Sequence, residues 1–71
     1  MKLYFENSFK ERREITDVEN LSAAIAEINK FCEEKNFKIY YMRMWEDGIE
    51  RHFDVGSHTE FFVLVGENNA N

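Results

Sequence analysis

Residues 38–55 read KIYYMRMWEDGIERHFDV, and the Asp47-Gly48 pair within them sets which residues of two flanking strands stand opposite each other. An Asp-Gly pair between alternating segments is the strongest short-range signal for a β-hairpin. With Asp47 and Gly48 as the two loop residues, Glu46 faces Ile49, Trp45 faces Glu50, Met44 faces Arg51, Arg43 faces His52, Met42 faces Phe53 and Tyr41 faces Asp54. Opposed residues share a sheet face. One face therefore carries Tyr40, Met42, Met44, Ile49, Phe53 and Val55, and the other Ile39, Tyr41, Arg43, Trp45, Glu50, His52 and Asp54. The first reads as core, while the second mixes aromatic and charged residues as interaction surfaces do.

Upstream of the hairpin, Thr16-Asp17-Val18-Glu19 fits the capping-box pattern, which predicts a helix beginning near Asp17 or Val18. Leu21, Ile25, Ile28 and Cys32 recur at helical spacing with Ala24 and Phe31 beside them, making one apolar stripe that must face a sheet. Glu27, Lys30, Glu33 and Glu34 fall outside it, and Asn36 suits the left-handed residue that ends a helix. Before this helix, residues 3–6 and 9–15 alternate as two strands about an Asn7-Ser8 turn. The charges of Lys10, Glu11, Arg12, Arg13 and Glu14 are those of a protected edge strand.

Downstream, Gly56-Ser57-His58 turns the chain into a last strand, residues 60–65, apolar at nearly every position. A three-residue and a four-residue loop would place opposite sets of its side chains toward the helix, so its register stays open between Phe61, Val63 and Val65 on one side and Phe62 and Leu64 on the other. Such a strand belongs in the middle of a sheet or where the outer face is also covered. Residues 67–71, ENNAN, read as a frayed tail. The expected fold is a single α+β domain over residues 1–71, in the order β-β-α-β-β-β, with a mainly antiparallel sheet and one helix packed on one face. A lone helix covers only one sheet face, so the Ile39, Tyr41 and Trp45 side is left as an interface.

Composition narrows the function. Hydrophobic content of 44% with eleven aromatic residues supports a folded core, though 71 residues bury only about 60% of the unfolded surface. Fourteen acidic against nine basic residues give a net charge of −5, which repels a phosphate backbone or an anionic membrane and favours a cationic partner. The single cysteine allows no internal disulfide, and neither a membrane span nor a signal peptide is readable, so the expected setting is the interior of a cell.

His52, His58 and Cys32 lack the spacing of a zinc site, and Cys32 belongs to the helix stripe as a small buried hydrophobe. His52 and Asp54 could form an acid/base pair, as a small enzyme with His58 would use, but a lattice holding Arg43 among Glu50, His52 and Asp54 explains the same residues. No cofactor or metal and no catalytic activity is expected. Trp45 beside Tyr41 and Arg43 has the composition of a binding hot spot, for another protein or for a second copy of the chain. Glu46, Asp47 and Glu50 place three carboxylates near one hairpin tip, suited either to solvation or to a cluster of arginines and lysines.

The run YYMRMWEDGIERHFDVGSHTEFFVL, in its short acidic chain, resembles small proteins encoded by phages and mobile elements of Firmicutes. Among these, the chain is similar in type to anti-CRISPR proteins that inhibit type II effector nucleases. The resemblance implies a nuclease inhibitor that blocks a basic, nucleic-acid-binding surface of a host protein, with no direct contact to nucleic acid and no membrane. The partner-binding residues expected are Tyr41, Arg43, Trp45, Glu46, Asp47, Glu50, His52 and Asp54. The alternative is a homodimeric structural or regulatory protein paired through its open sheet face.

Overall fold

The computed structural model describes residues 1–66, and the tail expected at residues 67–71 lies outside them. The order is β1 (Lys2–Glu6), β2 (Arg12–Asp17), α1 (Leu21–Lys35), β3 (Arg43–Asp47), β4 (Glu50–Asp54) and β5 (Phe61–Val65). All strands join one antiparallel sheet in the spatial order β2-β1-β5-β4-β3, and α1 lies on one face. This is the expected α+β architecture, with the two-sided β5 at its centre.

β5 sends Phe62 and Leu64 to the helix side, opposite Phe5 and Leu3 on β1, where they join Phe53, Val55, Ala24, Ile28 and Cys32 in the core. Phe61, Val63 and Val65 thereby take the outer face. Four phenylalanines tie the C-terminal half of α1 to the sheet: Phe62 meets Phe5 and Phe31 edge-on at 5.7 Å each, and Phe37 stacks on Phe5 at 6.1 Å. Burial raises the pKa of the Cys32 thiol above its ordinary value, as expected of a buried hydrophobe.

The helix begins later than the capping-box pattern predicts. Thr16 and Asp17 stay in β2, paired with Leu3 and Lys2, and Asn20 takes the cap, its side-chain oxygen accepting a bond from the Ala23 amide at 2.8 Å. A second capping residue, Asn20, lies four positions after Thr16, and strand pairing claimed the first. Between Glu14 and Thr16, Ile15 is an extra residue in the ladder, a bulge that lets it pack against the core. At the other end, Asn36 adopts the left-handed conformation (φ 60°), and the Phe37 amide reaches back to the Cys32 carbonyl at 2.8 Å. The expected stop is therefore where the sequence put it.

The hairpin differs in two ways. Its central residues are Gly48 and Ile49, and the ladder runs Asp47–Glu50, Glu46–Arg51, Trp45–His52, Met44–Phe53 and Arg43–Asp54. Gly48 alone takes positive φ (67°), the pattern of a type II′ turn, which leaves Asp47 inside the strand. Partners thus shift by two residues. Because side chains alternate with period two, the division into faces survives.

The second difference lies before β3. Residues 37–42 form no regular strand, and the Tyr40 and Tyr41 amides both point at the Val55 carbonyl, at 2.9 and 3.4 Å. Two residues opposing one reverse the alternation, as at a bulge. Ile39, expected on the outer face, packs against the core, whereas Tyr40, expected in the core, is 63% exposed. Met44 and Ile49, also expected as core, are exposed at 41% and 55%. All five residues of β3, the last strand on its side of the sheet, are exposed.

Candidate functional site

The sheet register sets three rows of side chains across the outer face, each read from β2 to β3. Arg12, Glu6, Phe61, Asp54 and Arg43 form one; Glu14, Tyr4, Val63, His52 and Trp45 the next; Asp17, Lys2, Val65, Glu50 and Asp47 the third. Arg12 reaches diagonally from the first row to the third and grips Glu50 with both terminal guanidinium nitrogens, at 2.9 and 3.0 Å. That diagonal passes over the middle row. Val63 there is fully buried, although no helix covers this face.

From Glu50 the network continues to His52 at 3.1 Å. The imidazole stacks on Trp45, with centroids 5.5 Å apart and planes within 9°, and the Arg43 guanidinium sits 5.7 Å from the indole centroid. At its other end Arg12 lies 3.9 Å from Glu6, which is the one buried charged residue among those described. A connected chain of Glu6, Arg12, Glu50, His52, Trp45 and Arg43 therefore spans the sheet from edge to edge. Bidentate guanidinium–carboxylate pairs hold geometry better than point contacts, so the Arg12–Glu50 pair helps to fix the aromatic end of the chain.

A cleft of about 260 Å³ opens beside the stack, lined by Trp45, His52, Phe61 and Glu6, with Lys10 of the β1–β2 turn and His58 of the β4–β5 loop. Asn7 builds that turn by accepting bonds from the Phe9 and Glu11 amides at 2.9 and 3.0 Å. The cleft offers flat aromatic walls and a buried carboxylate. These features suit an elongated cationic side chain, whose stem packs on aromatic rings while its head meets a carboxylate.

Of the residues expected from sequence, the structure gathers Arg43, Trp45, Glu50, His52 and Asp54 on this face; Asp54 contacts Arg43 at 3.5 Å and the Gly56 amide at 2.9 Å. Asp47 lies on the same face at the turn. Glu46 projects to the helix side, in an ion pair with Arg51, so the three tip carboxylates do not form one cluster. Tyr41 stands outside the sheet with its ring over Gly56. Glu6, Phe61 and Arg12 were missed. Strand alternation could have placed Glu6 beside Tyr4 on an outer face, but only the spatial order of strands brings it next to Trp45.

The Arg12 pair holds the Glu50 carboxyl below its ordinary pKa of 4.5. A carboxylate lowered in the folded state stabilises fully above its unfolded pKa, and that stabilisation fades as pH falls through the folded value. Urea unfolding measured from neutral pH downward should show this loss beginning as pH enters the ordinary carboxylate range and continuing below it. Arg12→Ala should cost about 1 kcal/mol or less at neutral pH, since the pair is partly exposed, and should flatten the acid limb. An unchanged acid limb in the variant would show that the pair does not contribute.

Among the described residues, no three His, Cys, Asp or Glu side chains gather as a metal cage, and no helix is long and apolar enough to cross a membrane. Comparison of the chain with protein-family models, curated proteins and solved structures found no match.

Proposed function

We propose that the chain is a non-catalytic binding protein that docks its outer sheet face on a basic, nucleic-acid-binding surface of a partner protein and blocks it. The observation that carries this reading is the cleft, where buried Glu6 lies among Trp45, His52 and Phe61. An arginine or lysine that ordinarily meets phosphate could insert there, with its charge met by Glu6 and its stem stacked on the rings. The net charge of −5 favours approach to such a surface and disfavours direct binding of nucleic acid. The resemblance to small phage-encoded inhibitors makes a type II CRISPR effector nuclease in the bacterial cytoplasm the first partner to test.

The test is capture from nuclease-treated host lysate, followed by affinity and DNA-cleavage assays with the purified partner. Trp45→Ala should weaken binding by roughly thirtyfold or more, the loss of one central hot-spot residue. Its melting temperature should stay close to that of the parent, because Trp45 is 44% exposed. Glu6→Gln should weaken binding without creating a clash. A partner bound equally well by the parent and both variants would overturn the reading.

A further inference from the structure

We infer that β3 is a self-association edge, through which a second copy of this chain extends the sheet with Trp45 facing Trp45 across a two-fold axis. β3 is the last strand on its side of the sheet, and all five of its residues are exposed. It contains neither proline nor lysine, the residues that commonly blunt an edge. Five of the six exposed large hydrophobics, Tyr40, Tyr41, Met44, Trp45 and Ile49, belong to this strand or the segments flanking it.

Backbone geometry limits the pairings. The two-residue turn aims the peptide groups of Asp47, and by alternation those of Trp45 and Arg43, at β4; those of Met44 and Glu46 point out of the sheet. An antiparallel second β3 can bond only where outward-pointing residues meet. Pairing Met44 with Met44 sets Arg43 against Trp45 and leaves Asp47 beyond the strand. Pairing Glu46 with Glu46 sets two like charges opposite each other. Pairing Met44 with Glu46 of the second copy satisfies four backbone bonds and brings Arg43 opposite Asp47 of the second copy at both ends. Charge complementarity selects this last register.

In that register Trp45 occupies a non-hydrogen-bonded position, where opposed side chains approach most closely and aromatic pairs gain most. Asp47 makes no ion pair among the described residues, and Arg43 holds Asp54 only at 3.5 Å with its own side chain 69% exposed. Both are available. The contact is one strand wide, so its dissociation constant should be micromolar. It shares Arg43 and Trp45 with the proposed partner-binding face but is read out by self-association alone, so either reading can fail without the other.

Sedimentation velocity on the full chain, from about 1 µM to about 500 µM, should show a shift from monomer to dimer in the range expected of so small an interface. Asp47→Lys should weaken the dimer about tenfold, because two attractive cross-strand pairs become repulsive. Arg43→Glu should do the same, yet an equimolar mixture of these two variants should form a heterodimer, since both of its cross-strand pairs are again opposite in charge. Met44→Pro removes an amide that faces outward in the monomer, so it should leave the melting temperature nearly unchanged and abolish the dimer. A parent that stays monomeric throughout, a dimer that survives Met44→Pro, or a mixture that fails to associate would each overturn the proposal.

Discussion

Phe62→Ala is expected to abolish the cooperative folding transition. Phe62 is fully buried at the centre of the sheet, and its ring meets Phe5 and Phe31 edge-on at 5.7 Å each. Truncating such a ring costs about 3–5 kcal/mol, the lost transfer energy plus the cavity left behind. A chain of 71 residues draws no more than roughly that much net stability from a single core. No disulfide is present to offset the loss. Far-UV circular dichroism during heating should show no sharp transition in the variant. Phe9→Ala is the control: Phe9 is 80% exposed on the β1–β2 turn, and its loss should cost no more than about 0.5 kcal/mol. A cooperative Phe62→Ala transition within a few degrees of the parent would show that the phenylalanine cluster is not what joins helix to sheet.

The centrality of Phe62 was half legible. The unbroken apolar run of β5 demanded a strand covered on both sides, but the loop after Val55 left open whether Phe62 or Val63 faced the helix. Both prove fully buried, for different reasons. Phe62 lies under α1, whereas Val63 lies under the diagonal from Arg12 to Glu50. No local pattern announces that bridge, because its ends are 38 residues apart and meet only when β1 and β5 lie between them. The charges of β2 are consistent with edge protection, yet one of them also closes the outer face. That face is consequently less open than a helix count suggests, and its accessible part is displaced toward Trp45 and the cleft.

The hairpin shows which errors a sequence reading survives. Placing Asp47 in the loop instead of the strand moved every partner by two, so the grouping of Arg43, Trp45, His52 and Asp54 was kept while the contacts changed. Trp45 stacks on His52 where Glu50 was expected, and Glu50 is released to Arg12. The error at Tyr40 and Ile39 was of the other kind. Two amides sharing the Val55 carbonyl shift the alternation by one, which exchanges inside for outside.

That shared carbonyl underlies the second large effect, the expected loss of about 2–5 kcal/mol in Gly56→Ala. Gly56 has φ 90°, a conformation that costs a residue with a Cβ roughly 1–2 kcal/mol. The new methyl would also lie 2.7 Å from the Tyr40 Cβ and 3.0 Å from the Tyr41 ring, and overpacking adds about 1–3 kcal/mol. A ring can swing aside, but a Cβ moves only with its backbone, and the Tyr40 amide is tied to Val55 at 2.9 Å. Gly56 is itself held by Asp54 at 2.9 Å, so neither side yields cheaply. The connection into β3 should separate from the end of β4, disturbing the Trp45–His52 stack before the core is exposed. Chemical denaturation should report the stability loss, and Trp45 fluorescence in the native baseline should change with it. Gly48→Ala separates the two causes: its φ is 67°, but nothing lies within 4 Å of the added Cβ, so it should cost only about 1 kcal/mol. Equal losses at the two glycines would mean that backbone strain alone acts at Gly56, and that Tyr40 and Tyr41 give way without resistance.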